Sequence, residues 1–140
     1  MLKPTLLSSA ALLGAMVATS AAQAGANSFV VTVQTFQNWT VDGQSDPPLT
    51  LTRGQTYVFD LQGVNGIHPF FIKTADSTGS ANQFNDGVTN NGAAGDTDIT
   101  FVVPATAPAQ LFYNCGTHAD MAGVINVIDA PVLFRNGFED

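Results

Sequence analysis

The stretch Tyr113–Val124, YNCGTHADMAGV, constrains this chain more than any other. It sets Cys115, His118 and Met121 at the spacing C-x2-H-x2-M, between two apolar runs, Gln110–Asn114 and Gly123–Ile128, that read as adjacent strands. With the N-terminal leader set aside, the chain holds one cysteine, two histidines and one methionine, and three of these four residues lie in this stretch. The fourth, His68, comes well upstream in GVNGIHPFFI. A thiolate, two imidazoles and a thioether form the set that one-electron copper prefers, a trigonal His2Cys arrangement with a weak axial Met. Zinc accepts Cys and His, but a thioether is not part of its usual tetrahedral set. Taken singly, a cysteine is commonly a small buried hydrophobe and a methionine a filler of core gaps. Their grouping with both histidines points instead to a metal, and an unpaired thiol in an exported chain is a liability unless something occupies it.

The start of the chain bears on export. Met1-Leu2-Lys3 is a short positive region, Leu6–Val17 an apolar one, and Ala22-Gln23-Ala24 an A-x-A cleavage signal. This pattern predicts a signal peptide over 1–24, cut before Gly25. The apolar run is shorter than the ~20 residues a spanning helix needs, so no membrane span is expected. Periplasmic or secreted localisation follows. The 140 residues leave room for one domain, placed at 25–129, with 130–140 as a C-terminal tail. Cleavage removes Lys3 and no acid, leaving three basic against eleven acidic residues. Nucleic-acid binding is excluded on that balance, because phosphate contacts need clusters of Lys and Arg. The acidity serves solubility, or steers a basic partner. One Cys also excludes an intramolecular disulfide, so the core must carry stability unaided.

The rest reads as all-β. Ser28–Phe36 is rich in β-branched and aromatic residues and suits a first strand. Asn38-Trp39-Thr40 matches a glycosylation sequon, taken here as chance. Asp42–Pro48 is a turn-rich loop and Leu49–Thr52 a short strand. Gln55–Leu61 sets Tyr57, Phe59 and Leu61 on one face, the period-2 pattern of a half-buried strand. Ile67–Ile72 follows as an apolar strand with His68 near its beginning. Thr74–Asp96 shows no periodicity and is long for a loop in a compact domain. Its aspartates lack EF-hand spacing, and Phe84 and Val88 are expected to pack it down. Thr97–Val103 alternates again. Seven or eight such strands with turn signals predict a Greek-key β-sandwich.

The segments His68-Pro69-Phe70-Phe71-Ile72 and Tyr113–Val127 resemble the ligand segments of cupredoxins, the type 1 or blue copper proteins. The Cys-to-Met loop has the short form seen in amicyanins. The resemblance extends over about Ser28–Ile128. It implies a cupredoxin-type Greek-key β-sandwich and one type 1 copper. His68, Cys115 and His118 would then form the trigonal plane, with Met121 axial and His118 nearest solvent. It implies single-electron transfer to a redox partner protein by a monomer, and no enzyme activity. Multicopper oxidases and nitrite reductases need further histidines, and a binuclear copper-A site needs a second Cys. Two other readings share the ligands: a copper carrier or storage protein, and a cupredoxin-like module with a structural or adhesive role. In two places the chain departs from the family. Pro69 stands where an Asn backbone N–H commonly donates to the Cys sulfur, and Thr117 stands where short-loop members often have Pro. The expectation is that the Thr117 N–H takes over the donation Pro69 cannot make.

Overall fold

A computed structural model describes residues 27–133; the proposed signal peptide and the end of the tail lie outside them. The described chain forms β1 (Asn27–Thr35), β2 (Asn38–Val41), β3 (Gln44–Ser45), β4 (Leu49–Thr52) and β5 (Thr56–Leu61). There follow β6 (Phe70–Lys73), β7 (Val88–Thr89), β8 (Ile99–Val102), β9 (Gln110–Cys115) and β10 (Ala122–Ile128). Two sheets result, ordered β3-β2-β1-β5-β8-β7 and β4-β10-β9-β6. The chain crosses from one sheet to the other between β3 and β4, β4 and β5, β5 and β6, β6 and β7, and β8 and β9. The result is the expected all-β sandwich. No helix among the described residues is long and apolar enough to cross a membrane.

Alternation builds the core between the sheets. In β5 Tyr57, Phe59 and Leu61 are buried, while Thr56, Val58 and Asp60 are only partly covered. Phe59 meets Phe70 of the opposite sheet at 5.3 Å between ring centroids, and Phe70 stacks on Tyr113 at 5.6 Å. Burying a side chain of this size is worth about 1.5–3 kcal/mol, so this aromatic column is a main tie between the layers. Trp39 is fully buried and meets Phe70 edge-on at 4.9 Å. Asn38–Thr40, whose match to a sequon is taken as chance, lies in a short strand, β2, whose Trp39 and Val41 face inward.

Two further differences have physical causes. The strand expected from Ile67 begins only at Phe70, which leaves His68 in the preceding turn. Pro69 has no N–H to enter a ladder, and the His68 N–H turns back to the Asn65 carbonyl at 3.0 Å. The aperiodic 74–96 segment is ordered by polar side chains rather than by an apolar face of its own. The Asn91 side chain accepts from the Ile72 N–H at 2.8 Å and donates to the Ile72 and Phe84 carbonyls at 3.0 Å each. It thus stands in for a neighbouring strand along the free edge of β6. Gly92, at φ +87°, lies where a Cβ would strike the Phe71 ring. Phe84 and Val88 pack against the core as expected.

Lys73 is fully buried. Its ammonium donates to the carbonyls of Ser77 at 2.7 Å and Gly79 at 2.6 Å, and lies 5.1 Å from the Phe71 ring centre. The Gly79 N–H in turn reaches the Gly116 carbonyl at 2.7 Å. The long loop is thereby tied to the residue that follows Cys115.

Candidate metal centre

Cys115 closes β9, opposite Phe70, the first residue of β6. The pairing continues past the strand ends, because the Gly116 N–H donates to the Pro69 carbonyl at 2.9 Å. That single register brings the His68 turn beside the cysteine. Gly116 suits this close approach: a Cβ there would sit 2.8 Å from atoms of both Phe71 and Pro69.

The stretch from Cys115 to Ala122 is a closed hairpin loop. The Cys115 N–H donates to the Met121 carbonyl at 2.8 Å, and the Met121 N–H to the His118 carbonyl at 3.3 Å. Beyond it Ala122 pairs with Asn114 and starts β10. The Trp39 indole N–H, from the other sheet, also reaches the Met121 carbonyl, at 3.1 Å. The loop is therefore fixed at its base and across the sandwich before any ion is considered.

Within this frame His68 Nδ1 lies 3.7 Å and His118 Nδ1 3.6 Å from Cys115 Sγ. The donor atoms of the three residues all fall within 4.8 Å of one another. Bonds of about 2.3 Å to sulfur and about 2.0 Å to nitrogen, opened to about 120° at a trigonal ion, separate S from N by about 3.7 Å. The observed spacing fits an ion between the three atoms. Cys115, His68 and Met121 are fully buried and His118 is partly exposed. All four residues singled out in the sequence thus converge here: three by their donor atoms, and Met121 by its burial and its backbone bond to Cys115.

Burial, and secondarily the neighbouring His118, push the His68 imidazole below its usual pKa. That shift favours the neutral ring, the form that ligates. Its Nε2 is buried without a partner among the described residues. The Thr117 N–H donates to Cys115 Sγ at 3.4 Å, the backbone donor expected to compensate for Pro69. Among the described residues no carboxylate joins the cluster, and a set of two imidazoles, one thiolate and a thioether is soft enough to select copper.

Two aromatic residues of the site were not singled out in the sequence. Phe36 stacks on the His68 imidazole and lies tilted against that of His118, and Trp39 meets His68 edge-on at 6.3 Å. The inward alternation of Trp39 with Val41 spans only the four residues of β2, too few to mark the second. Nothing local marks Phe36, since it lies distant in sequence from both histidines.

Neither a protein-family model nor a curated protein matches the chain. Solved structures do. Rusticyanin from Thiobacillus ferrooxidans superposes with a TM-score of 0.50 at 20% identity, over 72% of this chain and 76% of that chain. A methionine-to-leucine variant and a histidine-to-methionine variant of rusticyanin each give 0.51, at the same identity and coverage. Likeness at this identity establishes the fold; the metal assignment stands on the cluster itself. This chain has the cupredoxin fold and carries, where β9 ends, a His68–Cys115–His118–Met121 cluster that fits one type 1 copper.

Proposed function

We propose that this protein is a small exported carrier of single electrons, with one copper held by His68 Nδ1, Cys115 Sγ, His118 Nδ1 and, more weakly, the Met121 thioether. Bound copper would supply the Cu(I)/Cu(II) couple. The observation that carries this reading is the placement of two imidazole Nδ1 atoms at 3.7 and 3.6 Å from one buried thiol. Rusticyanin, with which the chain shares its fold, is a copper protein.

The chain's own contribution is to hold the donors still. The Pro69–Gly116 bond, the loop closure between Cys115 and Met121 and the Trp39 indole fix three ligand-bearing segments against one another. Donors that need not move between oxidation states cost little reorganisation per electron. The same rigidity favours electron transfer over carriage or storage of copper, since release of an ion requires this closed loop to open. Both histidines of the sequence lie at this site, so none is left for a second, substrate-activating copper. The partly exposed His118 offers the edge nearest solvent, where a redox protein would meet it. Residues 1–24 are proposed as a cleaved signal peptide and 25–129 as the working domain.

The test is direct. Mature protein given one equivalent of Cu(II) should turn blue through thiolate charge transfer, bleach on one-electron reduction and recover on reoxidation. Cys115→Ser should abolish the colour. A colourless wild-type protein that has taken up stoichiometric Cu(II), or protein isolated with zinc alone, refutes the assignment. A blue protein that undergoes no reversible redox cycle leaves copper carriage as the surviving use.

A further inference from the structure

The turn between β1 and β2 sets a water-exposed aromatic ring directly on the metal centre. Phe36 is 64% exposed, and its ring centroid lies 5.7 Å from that of His68 and 5.7 Å from that of His118, at interplanar angles of 29° and 38°. The two imidazoles are 4.6 Å apart, so one phenyl ring bridges both. Burial does not account for Phe36, because most of its apolar surface still faces water. A turn selected only for solubility would carry a polar residue here.

The placement is built into the hairpin. The register of β1 against β2 shifts between Val33 and Thr35, just before the turn. The Thr35 hydroxyl donates to Asn38 Oδ1 at 2.8 Å and accepts from the Gln37 N–H at 3.3 Å, which braces the turn on either side of Phe36. Trp39, three residues on, holds His68 edge-on and anchors the Met121 carbonyl. One hairpin thus contacts both imidazoles and the loop that bears Met121.

We infer that Phe36 is a positioning residue of this centre: its ring bridges the His68 and His118 imidazoles, limits their rotation and keeps water from their outer edges. The inference rests on the copper reading above. Water at those edges would stabilise the more highly charged Cu(II) state, so excluding it favours Cu(I) and raises the reduction potential.

The test compares Phe36→Leu, which keeps apolar bulk but removes the ring, with Phe36→Tyr, which keeps the ring. The exposure of the side chain makes loss of the fold an unlikely complication for either, and proton spectra report it directly. In metal-free protein the ring-proton NMR signals of His68 and His118 should both move in Phe36→Leu, as the ring current is lost, and stay near wild-type positions in Phe36→Tyr. In copper-loaded protein poised against a fixed redox couple, Phe36→Leu should raise the Cu(II)/Cu(I) ratio about tenfold, equivalent to about 59 mV for one electron. Phe36→Tyr should restore it to within about twofold. Histidine signals that do not move in Phe36→Leu overturn the inference, as does a potential that shifts equally in both variants or in neither. A wild-type protein that takes up no copper defeats the reading of the centre, and the metal-free spectra still decide whether the ring bridges the histidines.

Discussion

Thr117 shows how one backbone atom can set the electronics of a centre. Pro69 cannot donate, and the Thr117 N–H lies 3.4 Å from Cys115 Sγ. A hydrogen bond to the thiolate draws electron density from sulfur, stabilises Cu(I) relative to Cu(II) and raises the potential. Thr117→Pro should leave the sulfur with neither donor and lower the potential. A differential effect of ~1 kcal/mol, within reach of a hydrogen bond to a charged group, amounts to roughly 40 mV for one electron. Thr117→Val keeps the N–H and should shift little; the side chain is exposed, so neither change disturbs the core. Cyclic voltammetry of the two variants decides the matter. An unchanged or raised potential in a still-blue Thr117→Pro protein refutes the role.

At the scale of elements, the centre depends on a strand edge completed by side chains. β6 is only four residues long and pairs with β9 on one side. On its other side Asn91 supplies both an acceptor and a donor to Ile72, and the Phe70 N–H finds the Ala93 carbonyl at 2.8 Å. Asn91→Ala removes the side-chain partners of Ile72 and the Asn91 link to Phe84. The Ile72 carbonyl keeps the Phe84 N–H at 2.9 Å, but the Ile72 N–H is left without an acceptor. One such unpaired group costs about 1–3 kcal/mol, and the variant should lose about that much in urea unfolding. Because β6 positions the Cys115 end of β9, the loss should be accompanied by weaker metal retention. A variant within 0.5 kcal/mol or so of wild type, the range of an ordinary surface change, excludes this account of the edge.

Over the whole molecule, alkaline stability reports the packing between the layers. Tyr113 is fully buried, stacks on Phe70 and donates its hydroxyl to the Pro47 carbonyl at 2.7 Å. Burial first, and then the Asp46 carboxylate, raises its phenol well above the ordinary value. Below pH ~10 the phenol is protonated in both folded and unfolded chains and contributes no slope. Above it the unfolded chain releases the proton that the folded one keeps, so stability falls by up to about 1.4 kcal/mol per pH unit. Lys73 has the opposite sign. Desolvation lowers its folded value, and stability rises with pH between that value and about 10.4, where the unfolded lysine titrates. Comparing wild type with Tyr113→Phe cancels the lysine contribution. The variant should be less stable near neutrality by about 1 kcal/mol, for the lost hydrogen bond, and should lack part of the alkaline decline above pH 10.5 or so. Parallel stability curves for the two proteins above that pH would disprove the assignment to Tyr113.

The sequence by itself determined the residues able to hold a soft metal, because that choice is chemical: Cys115, His118 and Met121 are adjacent along the chain, and His68 is the one remaining imidazole. It also determined the strands that bury one face, since Tyr57, Phe59 and Leu61 signal their layer by alternation alone. Strands β2, β3 and β7 escaped notice because two to four residues carry too few alternations to stand out, and the 74–96 segment because its order comes from Asn91 and Lys73, not from periodicity. Only the tertiary structure decided that Phe70 faces Cys115, that the Pro69 carbonyl meets the Gly116 N–H, and that Phe36 lies on both imidazoles. The physical reason is that register and crossing are set by the joint packing of two sheets. Residues 30 or 80 positions apart acquire a relation there that no local pattern encodes.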